Sequence, residues 1–216
     1  MWAIVQHVSY DGEGNIGHAL RRAGKPWVNV RPFAGDPVPD AADLSGLVVL
    51  GAPGGSADDQ GSEHLVAERR LIVEAVGLGL PVLGVCFGAQ LLAVALGGGV
   101  VTDGALEVGM GSAALTDAGR SDPVLGSRDR ELTVLHWHRH TYLPPPGAVR
   151  LATSGAGTEQ AFRVHDKVYG LQFHVEINHD VAAVIADQMP AGALEPAAVA
   201  RASTWGDLVL DRFLAR

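Results

Sequence analysis

Hydrophobic residues along this chain follow two rhythms. In the first half, short apolar runs alternate with longer stretches whose apolar and charged positions recur at helical spacing. The runs "AIVQHV" (3–8), "WVNV" (27–30), "GLVVLG" (46–51) and "PVLGV" (81–85) predict strands. The nearly continuous apolar character of the later two predicts strands covered on both faces. Between them, "NIGHALRRAG" (15–24), "EHLVAERRLIVEAVGLG" (63–79) and "FGAQLLAVALGG" (87–98) predict helices that stop at glycine. Such alternation implies an α/β fold with a mostly parallel, doubly wound central sheet and flanking helices. Its ligand crevice is expected beyond the carboxyl ends of the strands.

From about residue 108 the rhythm shortens. "GSAALT", "LTVLHWH", "AVRLAT", "QAFRV" and "VYGLQF" are strand-like pieces separated by Gly, Pro and Asp turns such as "LPPPG". They predict an antiparallel or mixed extension of the sheet. The tail (195–216) reads as a helix, with Leu208, Leu210, Phe213 and Leu214 expected to dock on the body. With no repeat, low-complexity tract or linker, residues 1–216 are expected to form one domain.

Composition narrows the classes. The formal net charge of −8 argues against a general nucleic-acid binder, because neutralising phosphate needs concentrated Lys and Arg. No apolar run approaches the roughly 18 residues needed to cross a bilayer, and the first residues lack a basic region followed by an apolar segment and a cleavage site. A cytoplasmic protein with no membrane partner is expected. The single cysteine, Cys86, can enter neither an internal disulfide nor a thiolate zinc cage. It is core filler or chemistry.

Cys86 stands where the run "PVLGV" gives way to a helix, with Gly84 and Gly88 two residues on either side. A nucleophile on a sharp strand-to-helix turn needs small neighbours, since the turn brings adjacent elements close together. The helix would present its first NH groups and positive dipole end to the thiol, and the NH of Phe87 would face an oxyanion. A buried cysteine among helix-packing glycines is the other reading, and partners must decide between them. "VYGLQFHVE" supplies His174 and Glu176, which at a strand end would face the same way: an imidazole to shuttle the proton and a carboxylate to orient it. "VLGAPGG" (49–55) adds a glycine-rich loop whose NH groups could point into the same crevice.

Together these segments resemble class I (triad-type) glutamine amidotransferases: "GAPGG" as the oxyanion loop, "GVCFGAQ" as the nucleophile elbow, and "GLQFHVE" as the base and its orienting acid. The likeness extends from residue 3 to about 186 and is nearest to stand-alone proteins related to the glutaminase domain of GMP synthase, since "EVG" (107–109), "HWH" (136–138), "LPPPGAVRLATS" and "EQAF" follow in the family order. The resemblance implies a flavodoxin-like class I glutamine amidotransferase fold with Cys86 as nucleophile, His174 as general acid and base, and Glu176 as orienting acid. It further implies Gly54 or Gly55 with Phe87 as the oxyanion hole, and Gln90 as a residue that holds substrate. The segment "WHRHT" (137–141) aligns with the wall that contacts the amino-acid end of glutamine, which makes His138, Arg139, His140 and Thr141 substrate-binding candidates. Related proteins commonly carry a His-Gly-Asp-like sequence where His138, Arg139 and His140 stand. Ala52 and Val175 replace a usual glycine and proline. These departures bear on substrate choice and leave the triad intact.

"HWHRH" also invites a metal reading, because His136, His138 and His140 alternate. No carboxylate lies close in sequence to complete a site, so no metal or other cofactor is expected. The implied reaction is hydrolysis of the γ-amide of glutamine through a cysteine γ-glutamyl thioester. No synthetase segment accompanies these motifs, so the ammonia is expected to pass to a separate acceptor or synthase protein. A γ-glutamyl peptidase acting on a larger γ-glutamyl amide is the alternative that the changes at Arg139 and His140 favour. A non-catalytic binding or regulatory protein of the same fold is a third, opposed by the presence of all three triad residue types.

Overall fold

The computed structural model describes residues 1–10, 12–54 and 57–216. The early apolar runs become β1 (Trp2–Val5), β2 (Trp27–Val30), β3 (Gly46–Val49) and β4 (Val82–Val85). They lie parallel in the order β2-β1-β3-β4. All four residues of β1, β3 and β4 are buried, as their unbroken apolar character requires, whereas edge strand β2 is partly open. The intervening helices are α1 (Gly14–Arg22), α2 (Glu63–Gly77) and α3 (Phe87–Ala95).

Alternation within the strands sorts the core into two layers. Trp2 and Ile4 of β1 face one side, with Ile16 and Leu20 of α1 and Leu83 and Val85 of β4. Ala3 and Val5 face the other, with Leu71 and Ile72 of α2 and Phe87, Leu91 and Leu92 of α3. Burying each such large side chain contributes about 1.5–3 kcal/mol.

The second half of the chain forms β5 (Gly99–Val101), β6 (Glu107–Leu115), α4 (Asp117–Ser121), β7 (Glu131–His138), β8 (Thr141–Leu143), β9 (Val149–Thr153), β10 (Glu159–Val164), β11 (Val168–Leu171), α5 (His179–Ile185) and α6 (Pro196–Leu214). β11 joins β4 in parallel, and β10, β9, β6 and β7 continue the sheet antiparallel. The expected α/β architecture with a mixed extension is therefore present. β5 and β8 pair separately.

Several boundaries differ from the sequence expectation. The first strand stops at Val5, short of Gln6, His7 and Val8. The third ends at Val49. The predicted strand through Phe173 ends at Leu171, so His174 lies in the loop beyond it, held by a single bridge to Leu135. In α6, Leu210, Phe213 and Leu214 dock as expected, and Phe213 meets Trp2 edge-on at 6.0 Å. Leu208 does not: it points outward and is 46% exposed. Among the described residues no helix is long and apolar enough to cross a membrane.

Candidate active site

The carboxyl ends of β1, β3, β4 and β11 open onto a cavity of about 290 Å³ with Cys86 in its wall. Cys86 follows β4 directly. Its backbone has φ 53° and ψ −111°, outside the regions open to ordinary side chains, and α3 begins at the next residue. The flanking glycines are steric requirements of this turn. A Cβ on Gly88 would lie 2.0 Å from the Val49 carbonyl oxygen, and one on Gly84 would lie 2.5 Å from that of Gly88. The Cys86 NH donates to the Leu171 carbonyl at 2.7 Å and so ties the turn to β11. The Phe87 NH, at the first position of α3, has no intrahelical acceptor. Phe87 is among the residues that line the cavity.

His174 and Glu176 come to the same place from the β11 loop. His174 Nδ1 lies 2.5 Å from Glu176 Oε1, with both side chains buried. Nε2, the ring nitrogen turned away from Glu176, faces the cavity and has Cys86 as its neighbour. Burial works against charge on this ring, yet the Glu176 carboxylate and then the Cys86 sulfur outweigh it. The imidazole therefore holds its proton well above the ordinary histidine range. The thiol donates weakly to the Trp137 carbonyl at 3.7 Å and accepts from Gln172 Nε2 at 3.8 Å.

The other candidates are distributed unevenly. Gly54 lines the cavity with φ +70°, while Gly55 lies outside the described residues. Gln90 also lines it, but its amide donates to the His140 carbonyl at 3.0 Å and to Gln172 Oε1 at 3.3 Å, bracing the wall. His138, Arg139 and His140 border the cavity. Thr141 is not among its lining residues, and its hydroxyl donates to the Glu159 carbonyl at 3.2 Å.

Three groups that sequence reasoning passed over support the glycine-rich loop after β3 and the cavity wall. His7, just past β1, places Nδ1 3.1 Å from the Gly51 carbonyl and Nε2 2.8 Å from Glu68 Oε2. Arg69, beside Glu68 on α2, donates to the carbonyls of Ala57 at 2.7 Å and Asp59 at 2.9 Å. The available signal was two charges on the helix face that also carries Leu65 and Ile72, all four buried. Gln172, quoted in "GLQF" without a role, connects Cys86 to Gln90.

The histidine alternation holds for His136 and His138 but not for His140, because β7 ends at His138. A carboxylate does join the pair. Glu107 stands directly opposite His138 across β6 and β7, with Glu107 Oε2 3.5 Å from His138 Nε2. Burial, and then the neighbouring imidazoles of His136 and His174, push His138 down to about 3. Burial also pushes His136 below its ordinary value.

Comparison with known proteins agrees with this geometry. The family model for glutamine amidotransferase class-I matches residues 11–188, and the chain belongs to that family. It is 34% identical over 177 residues to the glutamine amidotransferase-like protein YfeJ of Salmonella typhimurium, covering 80% of this chain and 74% of that one. It is 33% identical over 172 residues to a glutamine-hydrolysing GMP synthase subunit from Haloarcula marismortui, covering 78% of this chain and 84% of that one. The crystal structure of a glutamine amidotransferase from Methylobacillus flagellatus superimposes with a TM-score of 0.88 at 29% identity, over 99% of this chain and 93% of that one. A Thermotoga maritima glutamine amidotransferase, at 24% identity and TM-score 0.80, shares the fold over 99% of this chain and 95% of that one.

Proposed function

We propose that this protein cleaves the γ-amide of glutamine through a γ-glutamyl thioester on Cys86 and passes the ammonia to a separate acceptor or synthase protein. The observation that carries this reading is the His174–Glu176 contact beside a cysteine strained into a strand-to-helix turn. His174 has already taken the Cys86 proton at Nε2, so Sγ attacks the γ-carbon as a thiolate beside the imidazolium. The carbonyl π pair moves to oxygen, where the NH groups of Phe87 and Gly54 can receive it. Collapse breaks the carbon–nitrogen bond, and His174 gives its proton to the departing ammonia. Water, deprotonated by the same nitrogen, then attacks the thioester to yield glutamate, and the sulfur leaves as the thiolate beside the imidazolium.

A second reading rests on the cavity wall. Tyr10, Leu106, Val108, Trp137, Val181 and Ile185 make much of that wall apolar. Beyond the γ-carboxamide, glutamine offers two methylenes and a charged α-ammonium and α-carboxylate, for which Arg139 and His140 of the wall are candidates. A γ-glutamyl amide with an apolar amine portion would use more of the wall.

Ammonia and amine release from L-glutamine and from γ-glutamyl dipeptides with apolar second residues separates these readings. Release from glutamine that is lost in Cys86→Ala supports the first reading. Release confined to the dipeptides, and equally dependent on Cys86, supports the second. Release that persists in Cys86→Ala overturns both.

A further inference from the structure

Two imidazoles and a carboxylate converge beside the cavity without a part in the chemistry above. Across β6 and β7, Glu107 pairs with His138 and Gly109 with His136, so the three side chains share one sheet face. The His136 ring lies over Gly111, where a Cβ would stand 2.7 Å from its Cδ2. One ligating atom from each of Glu107, His136 and His138 lies within 4.8 Å of the other two.

Gln160 of β10 closes the group. Its Nε2 donates to Glu107 Oε2 at 2.9 Å and lies 3.5 Å from His138 Nε2. It is also close enough to His136 to act on that ring's charge. Gln160 is wholly buried, yet its Oε1 has no hydrogen-bond partner among the described residues, and neither has His136 Nδ1. Unmet buried polar atoms are costly, and His138 Nδ1 is a third in this cluster, so they point to an additional species that uses such lone pairs. Rotating the amide or a ring by 180° exchanges its two ends without moving the chain.

We propose that Glu107, His136 and His138 bind a divalent cation of the zinc class, with the Gln160 amide oxygen in the fourth position. Two imidazoles and one carboxylate are donors that such an ion accepts in tetrahedral geometry. Sequence spacing pointed away from a metal because it offered no nearby carboxylate. Glu107, 31 positions before His138, is brought in only by strand pairing. The ion's role is structural: it fixes the β6–β7 wall, including Trp137 between its two histidine ligands, whose carbonyl receives the Cys86 thiol.

The test must separate this site from the Cys86 thiolate, which also attracts zinc. Metal-free, tag-free protein is titrated with Zn²⁺ against a chromophoric chelator, and with Co²⁺ for its visible spectrum, using wild type, Cys86→Ala, His136→Gln and Glu107→Gln. Circular dichroism and thermal melting of the metal-free proteins check folding. The expected result is one equivalent bound by wild type and Cys86→Ala, with tetrahedral Co²⁺ bands and no thiolate charge-transfer band. Affinity is expected to fall by at least about a hundredfold in either of the other folded variants, because loss of an outer-shell partner alone costs up to about that much. Binding that disappears in Cys86→Ala and survives in His136→Gln would place the ion on the thiol and overturn the proposal. So would the absence of binding by wild type.

Discussion

His174 Nδ1 lies 2.5 Å from Glu176 Oε1, and both belong to a loop rather than to the strand before them. The pair is held from outside: the His174 NH donates to the Leu135 carbonyl at 3.0 Å, and the Glu176 carbonyl accepts from the Asn15 NH at 3.0 Å. The ring is thereby turned with Nε2 toward Cys86 and the cavity. Glu176→Gln keeps a hydrogen-bonding group in place but removes the charge that supports the imidazolium. Its kcat is expected to fall by about 10²–10³, and that of His174→Asn by more, since the proton carrier itself is gone. Steady-state kinetics checks the order, and a larger loss in Glu176→Gln would contradict the assigned roles.

The same charge has a thermodynamic consequence. The folded His174 binds its proton more tightly than an unfolded histidine does, so the stability it contributes is fully present below the ordinary histidine value of about 6.5. That stability is lost as pH rises through the raised folded value. The melting-temperature gap between wild type and His174→Gln is therefore expected to shrink as pH rises from about 6 to about 9. A gap that widens over this range would show that the ring is held neutral.

Strain at Cys86 gives a third expectation. Any residue with a Cβ is strained at φ 53° and ψ −111°, whereas glycine is not. Cys86→Gly is expected to be more stable than Cys86→Ala by about 1 kcal/mol or more in chemical denaturation, with neither variant active. Equal stabilities would mean that the turn carries no strain.

Its flanks behave oppositely. Gly88→Ala would drive a methyl into the Val49 carbonyl, which belongs to a central strand and cannot give way without moving the sheet. A loss of about 1–3 kcal/mol is expected from overpacking. A melting temperature equal to wild type would refute this steric account.

His7 and Glu68 do not line the cavity, yet His7 holds the Gly51 carbonyl at the start of the loop proposed to supply the oxyanion donor Gly54. Releasing that loop displaces donors that matter most in the transition state. His7→Ala is expected to lower kcat by about ten- to a hundredfold with little change in KM. Glu68→Gln, which keeps an acceptor for Nε2, is expected to lose less. An unchanged kcat in His7→Ala would assign these residues to folding alone.

What could be read in advance divides along physical lines. Unbroken apolar runs locate β1, β3 and β4, and glycine spacing locates the elbow, because both are written in adjacent residues. Cys86, His174 and Glu176 were legible as residue types in motifs, although the loop that positions the last two was not. Interactions across the sheet escaped notice: Glu107 opposite His138, and His7 against Glu68 61 residues later, depend on pairings that no local pattern encodes. α4 and α5 were missed because they are short, and their first turns rest on caps from Thr116 and Asn178 rather than on a long apolar face. Leu208 was misplaced because an apolar residue in an amphipathic helix need not face inward.

The most direct test of the central claim is covalent capture of Cys86 by an electrophilic glutamine analogue, followed by intact-protein and peptide mass spectrometry. The account predicts a single adduct on Cys86 in wild type, none in Cys86→Ala, and markedly slower capture in His174→Asn. Capture in wild type no faster than in His174→Asn would contradict it, because the thiol would then be reacting without the imidazole.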